Sequence, residues 1–212
     1  MQTNDRTIRA GGGEAKANAT SGRFQPKDAI VVKELKELYS KTLLPIERKY
    51  FFHDFHHREM LPAELSSKPT ILLLGQYSTG KTTFIKHLIQ SDYPNMSIGP
   101  EPTTDKFVAV VHGEDGKYIK GNALTSVKSL PFQGLHEFGE GFLNKFEAAA
   151  VPSEFLNDIS IIDTPGVLSG EKQRTSRGYE FAKVCKWFAE RSDMILLMFD
   201  AHKLVIWRIP NL

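Results

Sequence analysis

One cysteine in 212 residues, Cys185, excludes an internal disulfide and fits a reducing compartment. It has no catalytic partner in its sequence neighbourhood, so its side chain reads as a small buried apolar group. An excess of one charge sign is also missing. With 27 Lys and Arg against 25 Asp and Glu the net charge is +2, which gives no case for a nucleic-acid partner. No apolar run approaches the ~20 residues of a membrane-spanning helix. The N-terminus has no signal-peptide core, so the glycosylation sequons Asn18-Ala19-Thr20 and Asn95-Met96-Ser97 carry no weight. What remains is ordinary globular composition, 41% hydrophobic and 25% charged, enough for one good core with a helical appendage.

Against these absences stands one stretch, Gly75-Gln76-Tyr77-Ser78-Thr79-Gly80-Lys81-Thr82, followed by Thr83. It fits G-x-x-x-x-G-K-[ST], the phosphate-binding loop. The apolar run Thr70 to Leu74 precedes it as a buried strand, and Phe84 to Ile89 follows as a helix with Ile85, Leu88 and Ile89 on one face. The two glycines let the loop wrap with its N–H groups facing phosphate oxygens, and the helix N-terminus adds partial positive charge there. Lys81 would neutralise the outer phosphates and the Thr82 hydroxyl would hold Mg²⁺.

The rest of the chain arranges itself around that motif. Residues 1–26 are polar and aperiodic, with Gly11-Gly12-Gly13, and read as a disordered tail. Residues 27–66 read as a helical arm, with Asp28 as N-cap and Val31, Val32, Leu35, Leu38, Tyr39 and Leu43 at helical spacing. Pro45 interrupts or kinks it, and Ile46 to His57 resumes in helical composition. The arm needs a partner surface for its apolar stripe. His53, His56 and His57 with Asp54 invite a metal reading, but a closed site wants more ligands, and packing beside Phe51, Phe52 and Phe55 is the expected role. Leu61 to Lys68 is a connector to a nucleotide domain over 67–204.

Ser91 to Glu101 reads as a loop leading to Thr103 and Thr104, either of which has the hydroxyl a γ-phosphate sensor needs, and then to a strand at Phe107–Val111. His112 to Lys117 reads as a hairpin turn. Phe138, Phe142 and Phe146 suggest a short helix with an aromatic stripe that packs into the core. Ile159 to Gly166 is the second strong signal: a strand delivers Asp163 to the edge where ligands bind in α/β sheets. Such an Asp holds Mg²⁺, and Gly166 lets its N–H approach the γ-phosphate. Leu168 to Gly178 is a polar loop whose Arg174 and Arg177 are read as solvated or structural, with contact to a transition-state phosphate as the rival role. Tyr179 to Arg191 is a helix with Phe181, Val184, Trp187 and Phe188 on one stripe, and Met194 to Asp200 a further strand.

The phosphate loop, Gly99 to Asp105, Gly121 to Leu124, Ile161 to Gly170, Lys172-Gln173-Arg174, Trp187 to Arg191 and Phe199 to Leu204 together resemble the EH-domain-containing (EHD) ATPases of the dynamin superfamily. The resemblance runs from about Val31 to Leu204. It implies a P-loop α/β fold, a dynamin-type G domain behind a helical arm that packs with helices following that domain. It further implies adenine-nucleotide binding and slow Mg²⁺-dependent ATP hydrolysis, self-assembly, and remodelling of phospholipid membranes in endocytic recycling. The expected location is then cytoplasmic, peripheral on endosomal or plasma membrane. Thr104 matches the switch threonine that reaches Mg²⁺ and the γ-phosphate; Lys81, Thr82, Asp163 and Gly166 match the nucleotide and metal positions. Where dynamins carry a catalytic glutamine this chain has Tyr77, which leaves the water-positioning residue unassigned.

The sequence Val205 to Leu212 departs from that family, and no N-K-x-D base-reading motif follows the strand at Met194. The chain is therefore expected to be truncated inside the G domain, with an incomplete sheet, an out-of-family tail at 205–212 and an exposed apolar edge at its last strand. Guanine specificity, and a non-catalytic fragment, are the competing readings.

Overall fold

The computed structural model describes residues 26–56, 58–93, 106–113, 117–128, 130–167 and 177–201, and every element, contact and count below is of these residues. The expected N-terminal tail, Thr103 and Thr104, Arg174 and the C-terminal tail lie outside them.

Two helices make the arm, α1 (Pro26–Leu38) and α2 (Leu44–Lys49). The chain is already helical at Pro26, so Asp28 sits inside α1 rather than capping it. Pro45 does not break the rod. A widened π-turn at Tyr39–Leu43 precedes it, with the Leu44 N–H reaching Tyr39 C=O. That extra slack accommodates a ring that lacks an N–H and crowds the preceding turn. The expected helix to His57 stops early, at Lys49. Phe51 takes a left-handed conformation (φ 54°) and a single 3-10 turn at Phe52–Asp54 follows. Tyr39 ties the arm together, donating to Glu47 Oε2 (3.0 Å) and accepting from the Met60 N–H (3.0 Å). The apolar stripe is open: Ile30, Val31, Leu35, Leu38, Leu43 and Ile46 are all exposed.

Six strands form one sheet: β1 (Thr70–Gly75), β2 (Phe107–His112), β3 (Tyr118–Lys120), β4 (Phe146–Val151), β5 (Ser160–Asp163) and β6 (Met194–Met198), in the order β3-β4-β2-β5-β1-β6. β1 runs parallel to β5 and β6, and β2 parallel to β4, while β2 is antiparallel to β5 and β3 to β4. The hairpin expected between β2 and β3 does not exist, because β4 lies between them. Its Phe-Glu-Ala-Ala-Ala-Val sequence has little β propensity. The alanines fit a place flanked by strands on both sides. The Phe138, Phe142 and Phe146 stripe is real but spans three elements: the end of a 3-10 turn, the short helix α5 (Gly139–Leu143), and the first residue of β4.

Two apolar layers cover the sheet. On one face Phe107 is the hub, stacked on Phe188 with ring centroids 5.5 Å apart and edge-on to Phe142 at the same distance. This layer is closed by α4 (Gly121–Ser126), α5 and α6 (Phe181–Ala189), which turns Phe181, Val184, Trp187 and Phe188 inward as its spacing predicts. On the other face α3 (Lys81–Ile89) buries Ile85 and Ile89 against Leu73, Val108, Val110 and Ile161. Among the described residues the sheet ends at β6, where Ile195, Leu197 and the following Phe199 are exposed.

Candidate nucleotide site

The site stands where β1 and β5 end side by side. The parallel register pairs Leu73 with Asp163, and the antiparallel register pairs Asp163 with Val108. Asp163 thus points into the same apolar layer as Leu73 and Val108, and it is fully buried. After Gly75 the chain turns through Ser78 (φ 63°) and Gly80 (φ 82°), a conformation for which glycine has no steric penalty, and enters α3 at Lys81. Thr79 Oγ1 closes the turn by donating to the Gln76 carbonyl (2.9 Å).

Lys81, 6% exposed, folds beneath this loop and donates from Nζ to Gln76 C=O (2.9 Å) and Gly75 C=O (3.3 Å). Burial pushes its ammonium below the usual lysine range, while Asp163 opposes that shift. In the first turn of the helix, Thr82 Oγ1 donates to Asp163 Oδ2 (2.8 Å). Tyr93 Oη donates to the same oxygen (2.9 Å). Burial raises the Asp163 pKa, countered by these two hydroxyls, by Lys81 and by the neighbouring Thr164 N–H, yet no donor closes a hydrogen bond on Oδ1. Thr83 and Ser78 face solvent.

The second motif is laced to the first. Val167 N–H donates to Gly75 C=O (3.1 Å), Tyr77 N–H to Val167 C=O (3.4 Å), and Thr164 Oγ1 to Leu73 C=O (2.6 Å). A Cβ on Gly166 would sit 2.5 Å from Tyr77 Cα and 2.8 Å from Tyr77 N, so only glycine lets the two loops meet. Arg177 braces this second motif: Nη2 donates to Gly166 C=O (2.6 Å) and the guanidinium lies 4.3 Å over the Phe181 ring.

These donors fit a hard divalent cation. The Thr82 proton is spent on Asp163, which leaves the hydroxyl's lone pairs available, and Asp163 keeps one buried oxygen without a hydrogen-bond donor. Mg²⁺ is commonly held by one or two protein oxygens, with substrate phosphates and water supplying the rest. Among the described residues no cluster of three or more His, Cys, Asp or Glu is placed to hold a metal ion. The histidine group of the arm accordingly gains no support: His53 Nε2 lies 3.8 Å from Glu59 and 3.9 Å from Glu47. Tyr93 is the residue that sequence reading missed. It sits in a stretch read as loop, and no periodicity or motif marks a lone tyrosine as a carboxylate partner.

A glycine-turned loop between β1 and α3, a buried lysine under it and a strand-end aspartate bonded to its threonine define a P-loop nucleotide-binding domain. A sequence profile of the Dynamin family matches residues 71–206, and one described as N-terminal EH-domain containing protein matches residues 34–66. EH domain-containing protein 1 of Homo sapiens is 57% identical over 176 residues, covering 83% of this chain and 33% of its own length. EH domain-containing protein 3 of Homo sapiens is 57% identical over 172 residues, 81% of this chain and 32% of its own length. A solved bacterial dynamin, described as an oligomerised pair that senses and tethers membranes, matches 52% of this chain and 18% of its own at 19% identity and a TM-score of 0.35, too weak a likeness to carry an argument. The chain belongs to the dynamin superfamily, in its EH-domain-containing branch. It spans about a third of the length of these curated relatives. No helix among the described residues is long and apolar enough to cross a membrane.

Proposed function

We propose that this chain binds an adenine nucleotide with Mg²⁺ and hydrolyses ATP slowly, as the nucleotide-handling part of a self-assembling machine that remodels membranes in endocytic recycling. The observation that carries the reading is the 2.8 Å bond from Thr82 to Asp163, which joins the phosphate loop to the second motif beside the buried Lys81. On binding, Lys81 would exchange the Gly75 and Gln76 carbonyls for phosphate oxygens. The loop N–H groups from Gln76 to Thr83, with the start of α3, would hold the remaining phosphate charge. Thr82, Asp163 and, from outside the described residues, Thr104 would hold Mg²⁺. The ion would neutralise charge developing between the β- and γ-phosphates. Gly166, pinned by Arg177 at its carbonyl, would offer its N–H to the γ-phosphate. The adenine preference, the membrane role, self-assembly and a peripheral location on endosomal or plasma membrane rest on membership of the EH-domain-containing branch.

Calorimetric titration with non-hydrolysable ATP and GTP analogues in Mg²⁺, beside Lys81→Ala, tests it. Binding of the ATP analogue that is lost in Lys81→Ala is the expected result. Tighter binding of the GTP analogue would overturn the adenine assignment, and no binding of either would overturn the nucleotide reading of this chain.

A further inference from the structure

We infer that Tyr93 is a positioning residue for the metal-side carboxylate: its hydroxyl, with that of Thr82, locks Asp163 through Oδ2 and so aims Oδ1 at the cation. This rests on the proposed reading of Asp163 as the metal-side acid. The geometry is a three-way hub. Thr82 Oγ1 and Tyr93 Oη stand 2.8 and 2.9 Å from one oxygen, and the other oxygen of the same fully buried carboxylate accepts no hydrogen bond.

The two donors come from opposite ends of one helix. Thr82 is in the first turn of α3, and Tyr93 lies beyond its C-terminus, after a reversal at Gln90 (φ 53°). Rotation of a carboxylate about its last torsion is soft, with broad wells. A single hydrogen bond would restrain that torsion only loosely. Two donors on that oxygen, fixed to the two ends of α3, leave it one orientation. Tyr93 is 4% exposed, and its ring packs in the apolar layer with Leu73, Ile85, Ile89, Val108 and Ile161. A phenylalanine would fill that space equally well. A buried hydroxyl is costly unless it is paired, so its presence calls for a polar role, and Asp163 supplies the partner.

Partners that orient a metal ligand are typically worth about 10–100-fold in metal affinity. The test uses Mn²⁺ as the probe. The ion is titrated into the ADP-saturated full chain, and free Mn²⁺ is counted by electron paramagnetic resonance, for wild type, Tyr93→Phe and Asp163→Asn. Expected is about tenfold weaker Mn²⁺ binding in Tyr93→Phe, with metal-free ADP affinity unchanged and a cooperative melt retained. Asp163→Asn should weaken Mn²⁺ binding more. If Asp163→Asn weakens it while Tyr93→Phe stays within about twofold of wild type, well short of the effect of an orienting partner, the inference is overturned and the site reading stands. If Asp163→Asn also leaves Mn²⁺ binding unchanged, the reading of Asp163 itself falls. A Tyr93→Phe chain that no longer melts cooperatively overturns the inference too, since the hydroxyl would then serve folding rather than aim.

Discussion

Replacing Gly166 with alanine separates two reasons for that glycine. If it serves only to let an N–H approach the γ-phosphate, alanine affects ligand binding and leaves the ligand-free protein alone. The structure gives a different reason. The new Cβ would lie 2.5 Å from Tyr77 Cα and 2.8 Å from Tyr77 N, both backbone atoms that no side-chain rotation can move aside. The two loops must therefore separate. Forced overpacking costs about 1–3 kcal/mol. The separation also strains the Val167-to-Gly75 (3.1 Å) and Tyr77-to-Val167 (3.4 Å) hydrogen bonds, each worth roughly 1 kcal/mol. With about half of each bond's worth forfeited, a loss of about 2–4 kcal/mol follows. In a chain of this length that lowers the melting temperature by about 4–16 °C. Thermal and urea unfolding of the nucleotide-free protein measure it, and ATP-analogue binding should weaken in parallel because Tyr77 belongs to the phosphate loop. A Gly166→Ala protein that melts with wild type in the absence of nucleotide would refute the reasoning, whatever its affinity.

Two further outcomes follow from buried groups away from the phosphates. Glu147 on β4 is 1% exposed and accepts from Lys106 Nζ and Tyr118 Oη, each at 2.8 Å. Glu147→Ala should cost about 2–3 kcal/mol in urea unfolding, less than a fully buried pair because Lys106 is partly solvated, whereas the double change Glu147→Leu with Lys106→Leu should recover most of it. Burial pushes the Cys185 thiol up to about 12. The unfolded thiol ionises near ~8.5, so the folded state holds the proton more tightly. That contribution is complete below the unfolded value and is lost as pH rises toward the folded one, by up to about 2 kcal/mol at pH 10. The gap in urea midpoint between wild type and Cys185→Ala should therefore narrow or reverse between pH 8 and pH 10, and a gap independent of pH would contradict it.

The chemistry of the phosphate site was legible because it is local. Gly75 to Thr82 is one contiguous turn between a strand and a helix, and Asp163 to Gly166 is another, so residue types at fixed spacing suffice to mark them. The apolar runs Thr70–Leu74, Phe107–Val111, Ile159–Ile162 and Met194–Phe199 announced four strands for the same reason. β4 was not legible, since Glu147 and three alanines look unlike a strand until neighbours on both sides make a place for small side chains. The false hairpin between β2 and β3 came from the same gap: a turn signal shows that the chain reverses, and cannot show that a later segment slips in between.

The sequence by itself thus determined the motifs and the branch of the superfamily, through short-range patterns that survive without a fold. Only the tertiary structure decided which groups complete them. Tyr93 reaches Asp163 across 70 positions, Arg177 reaches back to Gly166, and Gly166 is required by Tyr77. The Tyr93–Asp163 and Gly166–Tyr77 contacts join segments distant along the chain, brought together when β1, β5 and α3 pack, and nothing in the spacing of residues encodes them.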